Sequence, residues 1–245
     1  IISSKRHADR LNELSWSIPI ELLEKNKWPS LPRDAQPEFL AEPEAALVFF
    51  TSGSTGKPKG VAVSHSNLIF GADSVAQYLR ISQHLRMGAV LPVSFDAGLN
   101  WILTGLARGA EVYLLRYVFP RSLASQLGKN RIEILLAVPT VFFALSEVEA
   151  SDGTKGIRMA STGGRMDAKA VGQLRAAYDD LEFTVMYGLT EAFRATHLPD
   201  ALWAENPQSI GRAIPHAEVH IVDDQGCEAA TGQTGEIVQS GPLVS

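Results

Sequence analysis

Cysteine is almost missing from this chain. Cys227 stands alone among 245 residues, which excludes an internal disulfide framework and fits a reducing compartment. A basic excess is missing too. Lys and Arg number 22 against 27 Asp and Glu, a formal charge of −5, where a nucleic-acid-binding domain carries a positive footprint. No apolar run is long: the stretch Ile132–Val138, broken by Glu133, falls far short of the roughly 20 residues that span a bilayer. The start, Ile1-Ile2-Ser3-Ser4-Lys5-Arg6, lacks the positive segment and apolar core of a secretory leader. His7, His84, His197, His216 and His220 have no metal-ligand spacing with cysteines, so no zinc site is expected. Hydrophobic residues at 45% and charged residues at 20% are ordinary globular values. The expectation is a soluble cytoplasmic protein with neither nucleic acid nor a membrane span among its partners.

What is present is a strand–turn–helix alternation that begins at Ala45. Strands are expected at Leu47–Phe50, a continuous apolar run that reads as buried on both faces, and at Gly60–Val63, Ala89–Val93, Glu111–Leu115, Ile134–Val138, Ile157–Ala160 and Phe183–Met186. Helices are expected at 5–14, Asn67–Leu79 with Ser64 or Ser66 as N-cap, Leu99–Leu106, Ser122–Gly128, Thr140–Val148 and Ala168–Tyr178. This rhythm predicts an α/β fold with a mainly parallel sheet covered by helices. After Ile210 the texture turns to short strands, Glu218–Val222 and Glu236–Gln239, which read as a small β-rich appendage. The expected organisation is a partial N-terminal segment and connector over 1–44, a core over 45–209 and a truncated β-rich part over 210–245. Both ends read as the interior of a domain, which suggests a piece of a longer enzyme.

The chemistry concentrates in Thr51-Ser52-Gly53-Ser54-Thr55-Gly56-Lys57-Pro58-Lys59-Gly60. Glycines let backbone N–H groups turn toward an anion, hydroxyls add donors, and lysines add charge. It is not a Walker A loop, because only Ser54 and Thr55 separate Gly53 from Gly56-Lys57, and Pro58 follows. Pro58 bars a helix from starting there, so the loop is expected to run into a second strand. Composition alone equally allows a Gly/Ser-rich hairpin turn.

The full string resembles the signature loop of the adenylate-forming superfamily: acyl-CoA synthetases, amino-acid adenylation domains and luciferases. The continuation Val61-Ala62-Val63-Ser64-His65-Ser66-Asn67-Leu68 is similar to the family's as well. Met186-Tyr187-Gly188-Leu189-Thr190-Glu191-Ala192 resembles its Tyr-Gly-x-Thr-Glu motif, and Ser161-Thr162-Gly163-Gly164-Arg165-Met166 its adenine-pocket segment, with Arg165 where an acidic residue is usual. Ser209–Pro215 and Thr234–Ile237 resemble two later segments, so the resemblance covers Ala45 to Ser245. It implies ATP and Mg²⁺ as cofactors. Thr51, Ser52, Gly53, Ser54, Thr55, Gly56, Lys57 and Lys59 would serve the outer phosphates, Gly163, Gly164, Tyr187 and Gly188 the base and α-phosphate region. Thr190 and Glu191 would be catalytic, with Glu191 the Mg²⁺ ligand. His65, Phe95, Asp96, Ser161 and Leu189 would line the acid's site. The family's lid-subdomain lysine and ribose-binding Asp have no counterpart here, so this piece is expected to be a weak catalyst by itself.

The implied reaction joins a carboxylic acid to AMP and then to a thiol, either coenzyme A or a carrier-protein phosphopantetheine. Asp96 leaves two readings open. It could pair with the ammonium of an amino acid, or it could cap the helix expected near Leu99, with Gly98, Leu99 and Trp101 providing apolar walls for an acyl chain. His65 could gate the acyl tunnel or simply be a packed histidine. The Phe-Asp-x-Gly-Leu-Asn and Tyr-Gly-Leu-Thr-Glu-Ala-Phe-Arg strings together resemble a bacterial branch of acyl-CoA ligases associated with exopolysaccharide and exosortase loci. Three functions stand: an acid–thiol ligase core, an amino-acid adenylation domain loading a carrier protein, and a non-catalytic nucleotide-binding remnant.

Overall fold

The structure, a computed structural model, describes residues 2–3, 21–22, 45–51 and 58–245. The helix expected over 5–14 and most of the loop expected to bind phosphate, residues 52–57, lie outside the described residues. The chain divides into two compact units, Ile1–Ala41 and Glu42–Ser245. In the first, β1 (Ile2–Ser3) pairs in parallel with β2 (Glu21–Leu22).

The second unit is built on a seven-stranded sheet. In chain order its strands are β5 (Arg86–Ala89), β6 (Glu111–Leu114), β7 (Ile134–Ala137), β8 (Arg158–Ser161), β9 (Glu182–Tyr187), β10 (Thr196–Leu198) and β11 (Arg212–Ala213). Their spatial order is β11-β10-β9-β8-β7-β5-β6. From β6 to β9 all pairings are parallel, while β10 and β11 join antiparallel. Helices make the crossovers: α2 (Asp96–Arg108), α3 (Pro120–Lys129), α4 (Pro139–Leu145) and α5 (Ala168–Ala177). Side chains alternate across the pleat. Leu135, Ala137, Met159 and Phe183 pack with Leu127, Phe142 and Leu174 of α3, α4 and α5. Ile134, Leu136, Ala160 and Met186 pack instead against Trp101 of α2 and Val75 of α1 (His65–Tyr78). Burial on both faces is why the core strands read as continuous apolar runs.

Local chemistry sets the helix ends. Ser64 caps α1 in a reciprocal box with Asn67: its Oγ accepts from Asn67 N at 3.1 Å, and its own N donates to Asn67 Oδ1 at 3.0 Å. Pro120 and Pro139 occupy the first helical positions of α3 and α4, where no N–H is needed. Gly109 closes α2 at φ +68°, a conformation costly for residues with a Cβ.

Three expectations change. The run at Leu47–Phe50 is not a doubly buried sheet strand: β3 (Ala45–Thr51) forms an antiparallel hairpin with β4 (Lys59–Ser64), and Phe50 is 76% exposed while Phe49 is buried. A two-stranded ribbon has one packed face, here against Phe193, Ile214 and Leu243. The strand expected at Ala89–Val93 lies earlier, at Arg86–Ala89, because its pairing with β6 and β7 ends at Ala89. The helix expected at Leu99 starts at Asp96. The β-rich end is a hairpin of β12 (Glu218–Val222) and β13 (Glu236–Ser240). Among the described residues, no helix is long and apolar enough to cross a membrane.

Candidate active site

In parallel sheets, ligands settle outside the carboxyl ends of the strands, near the point where strand order reverses. Here β5 is flanked by β6 on one side and β7 on the other, so the reversal lies at the ends of β5 and β7. The chain emerging from β5 carries Phe95 and Asp96, that from β7 Val138, and that from β8 Gly163 and Gly164. These segments converge: a Cβ on Gly163 would lie 3.5 Å from the Phe95 ring and 3.4 Å from Val138. Beside them opens a cleft of about 470 Å³ lined by Gly163, Gly164, Met186, Tyr187, Gly188 and Ile210, among others. Arg165 lines it as well, so the residue that departs from the usual acidic one faces the same space. The size suits a small-molecule ligand. Two glycines on one wall and a tyrosine on the other leave a slot for a flat base.

After Tyr187 the chain makes a tight, braced turn. Thr190–Ala192 form a single 3₁₀ turn. Phe193 follows at φ 48°, ψ −53°, and Arg194 N donates to Ala192 O at 2.6 Å, the signature of a γ-turn of the rare, strained hand. Gln239 of β13 braces it, donating to Ala192 O at 3.1 Å and Arg194 O at 2.9 Å, and Ser245 N donates to Glu191 O at 2.9 Å. Gly188 is required here, because a Cβ would stand 2.6 Å from Arg194 Cα. The turn leaves Thr190 half-buried, and Glu191 and Leu189 exposed. It drives the Phe193 and Arg194 side chains into the interior.

The remaining named residues sit as follows. Thr51 and Lys59 face each other as the last paired residues of the β3–β4 hairpin. Ser52, Gly53, Ser54, Thr55, Gly56 and Lys57 lie outside the described residues. His65 is the exposed first residue of α1. Ser161 ends β8, fully buried, with no partner for its Oγ among the described residues. Asp96 is not a cap: Phe95 holds the N-cap position of α2 without a side-chain cap bond. Asp96 is instead buried opposite Arg194, Oδ2 to Nη1 at 3.6 Å, both side chains 4% exposed. The walls around Asp96 are therefore not only apolar.

Arg194 is the residue that sequence reasoning missed. Its only signal was a lone basic residue inside the apolar run Ala192–Ala195, directly after the Tyr-Gly-Leu-Thr-Glu string. His197, also buried, stacks on Tyr78 with ring centroids 4.6 Å apart. Burial holds the Tyr78 phenol well above its usual range, and its O–H donates to Met186 Sδ at 2.8 Å. Burial, aided by the nearby Arg212 charge, pushes His197 below its ordinary 6.5, so the fold keeps it neutral. The unfolded chain then takes up a proton that the fold refuses, and stability falls as pH drops below about 6.5. His197→Gln is expected to flatten this slope, by at most about 1.4 kcal/mol per pH unit, in urea melts between pH 7.5 and 5.

Glu191 can hold a cation. Its exposed carboxylate accepts no hydrogen bond from the described residues, and no three His, Cys, Asp or Glu side chains among them converge. Mg²⁺ is commonly bound by one or two carboxylates plus substrate phosphates, and that donor set fits.

The family described as AMP-binding enzyme matches residues 3–245. Indigoidine synthase of Dickeya dadantii is 32% identical over 231 residues, 88% of this chain and 15% of that protein. An L-proline–[L-prolyl-carrier protein] ligase of Pseudomonas fluorescens is 31% identical, covering 82% and 42%. An indoleacetate–CoA ligase of Aromatoleum aromaticum is 29% identical, covering 93% and 44%. The chain thus spans less than half the length of each of these relatives. The N-terminal domain of FACL13 from Mycobacterium tuberculosis shares the fold, with a TM-score of 0.86 over 99% of this chain and 64% of that one at 21% identity. By its family match and these relatives, the chain belongs to the AMP-binding enzyme family of adenylate-forming proteins.

Proposed function

We propose that this chain forms the ATP- and acid-binding core of an AMP-forming acid–thiol ligase. The observation that carries the reading is one juxtaposition. The Gly163-Gly164 and Tyr187-Gly188 cleft adjoins the Thr190-Glu191 turn and the buried Asp96 segment, all at the carboxyl ends of parallel strands. In the first half-reaction a carboxylate oxygen of the acid attacks the α-phosphorus of ATP, and the bond from that phosphorus to pyrophosphate breaks. In the second, a thiol sulfur attacks the acyl carbon, the bond to AMP breaks, and the thiol proton passes to solvent.

No side-chain nucleophile is needed, so the protein's task is positioning and charge. At 4 Å and an effective dielectric near 20, one like-charge pair costs about 4 kcal/mol, and a carboxylate approaching a triphosphate meets several. Lys57 and Lys59 would offset part of this at the outer phosphates, and Thr190 would donate to the α-phosphate. Glu191 would hold the Mg²⁺ that neutralises phosphate charge. Tyr187 would cover the base, Gly163 and Gly164 would let it approach backbone, and Ser161, Phe95, Leu189 and His65 would border the acid.

Relatives of both acceptor types, coenzyme A and carrier protein, are similar to the chain. The adenylation-domain reading gains from one feature, the buried carboxylate of Asp96. Acid-dependent exchange of labelled pyrophosphate into ATP tests the reaction. Glu191→Gln is expected to lower that exchange at least tenfold at limiting Mg²⁺ and to raise the Mg²⁺ concentration for half-maximal rate, with unchanged melting. An unaltered metal dependence would remove Glu191 from the site.

A further inference from the structure

Around Asp96 and Arg194 the interior holds hydrogen-bonding capacity that the described chain does not use. Arg194 is 3% exposed, and its Nε and Nη2 have no hydrogen-bond partner among the described residues. Only Nη1 is engaged, donating to Phe193 O at 2.8 Å and lying 3.6 Å from Asp96 Oδ2, too long for a hydrogen bond. The Asp96 carboxylate is 4% exposed and accepts no hydrogen bond from the described residues. Asn100, one turn along the same face of α2, leaves its Nδ2 unpartnered among the described residues. Buried polar groups in native folds are nearly all paired, so such a concentration calls for an occupant. The place is behind the reacting end of the site: Phe95, next to Asp96, lies against Gly163, and Arg194 Cα lies against Gly188.

We infer that the acid activated here is an amino dicarboxylic acid. Asp96 takes its ammonium and Arg194 its second carboxylate, while the remaining carboxylate faces the nucleotide cleft. The inference rests on the adenylation reading above and names its substrate class. Charge balance selects this class. A plain acyl chain would leave a guanidinium fork and a carboxylate unsatisfied in a dry site. An amino acid with one carboxylate would add a cation to a pair already balanced, and a simple dicarboxylic acid would add an anion. A head group carrying both charges keeps the net charge at zero and gives each protein group a partner. The guanidinium fork matches a carboxylate in two parallel bonds, for which a lysine is no substitute. The 3.6 Å gap between Asp96 and Arg194 fits two groups held near each other without being spent on each other.

Calorimetric titration with L-aspartate, L-glutamate, glutarate, L-norvaline and hexanoate, in the presence of Mg²⁺ and a non-hydrolysable ATP analogue, tests this. L-Aspartate or L-glutamate is expected to bind at least tenfold more tightly than the other three. Arg194→Lys should weaken that binding at least tenfold and leave the nucleotide affinity unchanged. Should Arg194→Lys fail to fold, the charge-free double variant Asp96→Leu/Arg194→Met should instead reverse the ranking in favour of hexanoate. Equal or tighter binding of glutarate, L-norvaline or hexanoate to the parent protein would overturn the substrate class while leaving the adenylation reading intact. So would nucleotide binding with no acid bound. Failure to bind the nucleotide at all would overturn the adenylation reading, and the inference with it.

Discussion

Asp96→Ala is expected to destabilise the fold by about 3–5 kcal/mol, because it strands the Arg194 guanidinium inside the protein. Both side chains are 4% exposed, and among the described residues the other hydrogen bond of the Arg194 side chain is from Nη1 to its own neighbour's carbonyl. A domain holds about 5–15 kcal/mol in total, so the single variant should lose about a fifth or more of its urea midpoint. The pairing itself is not what stabilises. Desolvation offsets most of the attraction, and an uncharged pair of similar size serves as well. Asp96→Leu combined with Arg194→Met should therefore recover most of the loss. Chemical denaturation of the three proteins side by side checks this. A single variant with the parent midpoint would show that water reaches the pair and screens it.

Gly188→Ala is expected to lower acid-dependent pyrophosphate exchange about 100-fold. The added methyl would meet Arg194 Cα at 2.6 Å and Ala195 N at 3.3 Å, and backbone cannot swing aside as a side chain can. Relief must come from the turn itself, whose γ-turn at Phe193 is already strained and whose Ala195 N–H is bonded to Tyr187 O at 2.9 Å. Any shift carries Tyr187, Thr190 and Glu191 with it, and misplacement by about 1 Å can cost about 10²-fold in rate. Gly172→Ala in α5, where a Cβ would meet nothing within 4 Å, is the control and should leave exchange unchanged. Parent-like exchange by Gly188→Ala would place the turn outside the reacting centre.

Much of the fold was legible because it is local or periodic. Short apolar runs separated by amphipathic helices announced the parallel sheet, and Ser64, one of two cap candidates, marked the start of α1. The strings at 161–166 and 186–192 flank one cleft in the structure, because each follows a parallel strand and such strands end on the same side of the sheet. The β3 run misled because a continuous apolar stretch looks alike in a central strand and in a hairpin. Only the partner strand, set by the turn and by packing against Phe193, Ile214 and Leu243, distinguishes them. Strands β10 and β11 were too short to show a period, and their antiparallel pairing is written in β9 rather than in themselves.

By itself, then, the sequence determined the α/β class and the mild negative charge. These follow from residue type, spacing and composition within a few neighbours. Tertiary structure alone decided what Asp96 faces. A carboxylate at a helix start reads as a cap until a guanidinium from the turn after β9, turned inward beside a strained residue at Phe193, arrives opposite it in the buried interior. That meeting depends on close packing between distant segments, and nothing in the periodicity of either one encodes it.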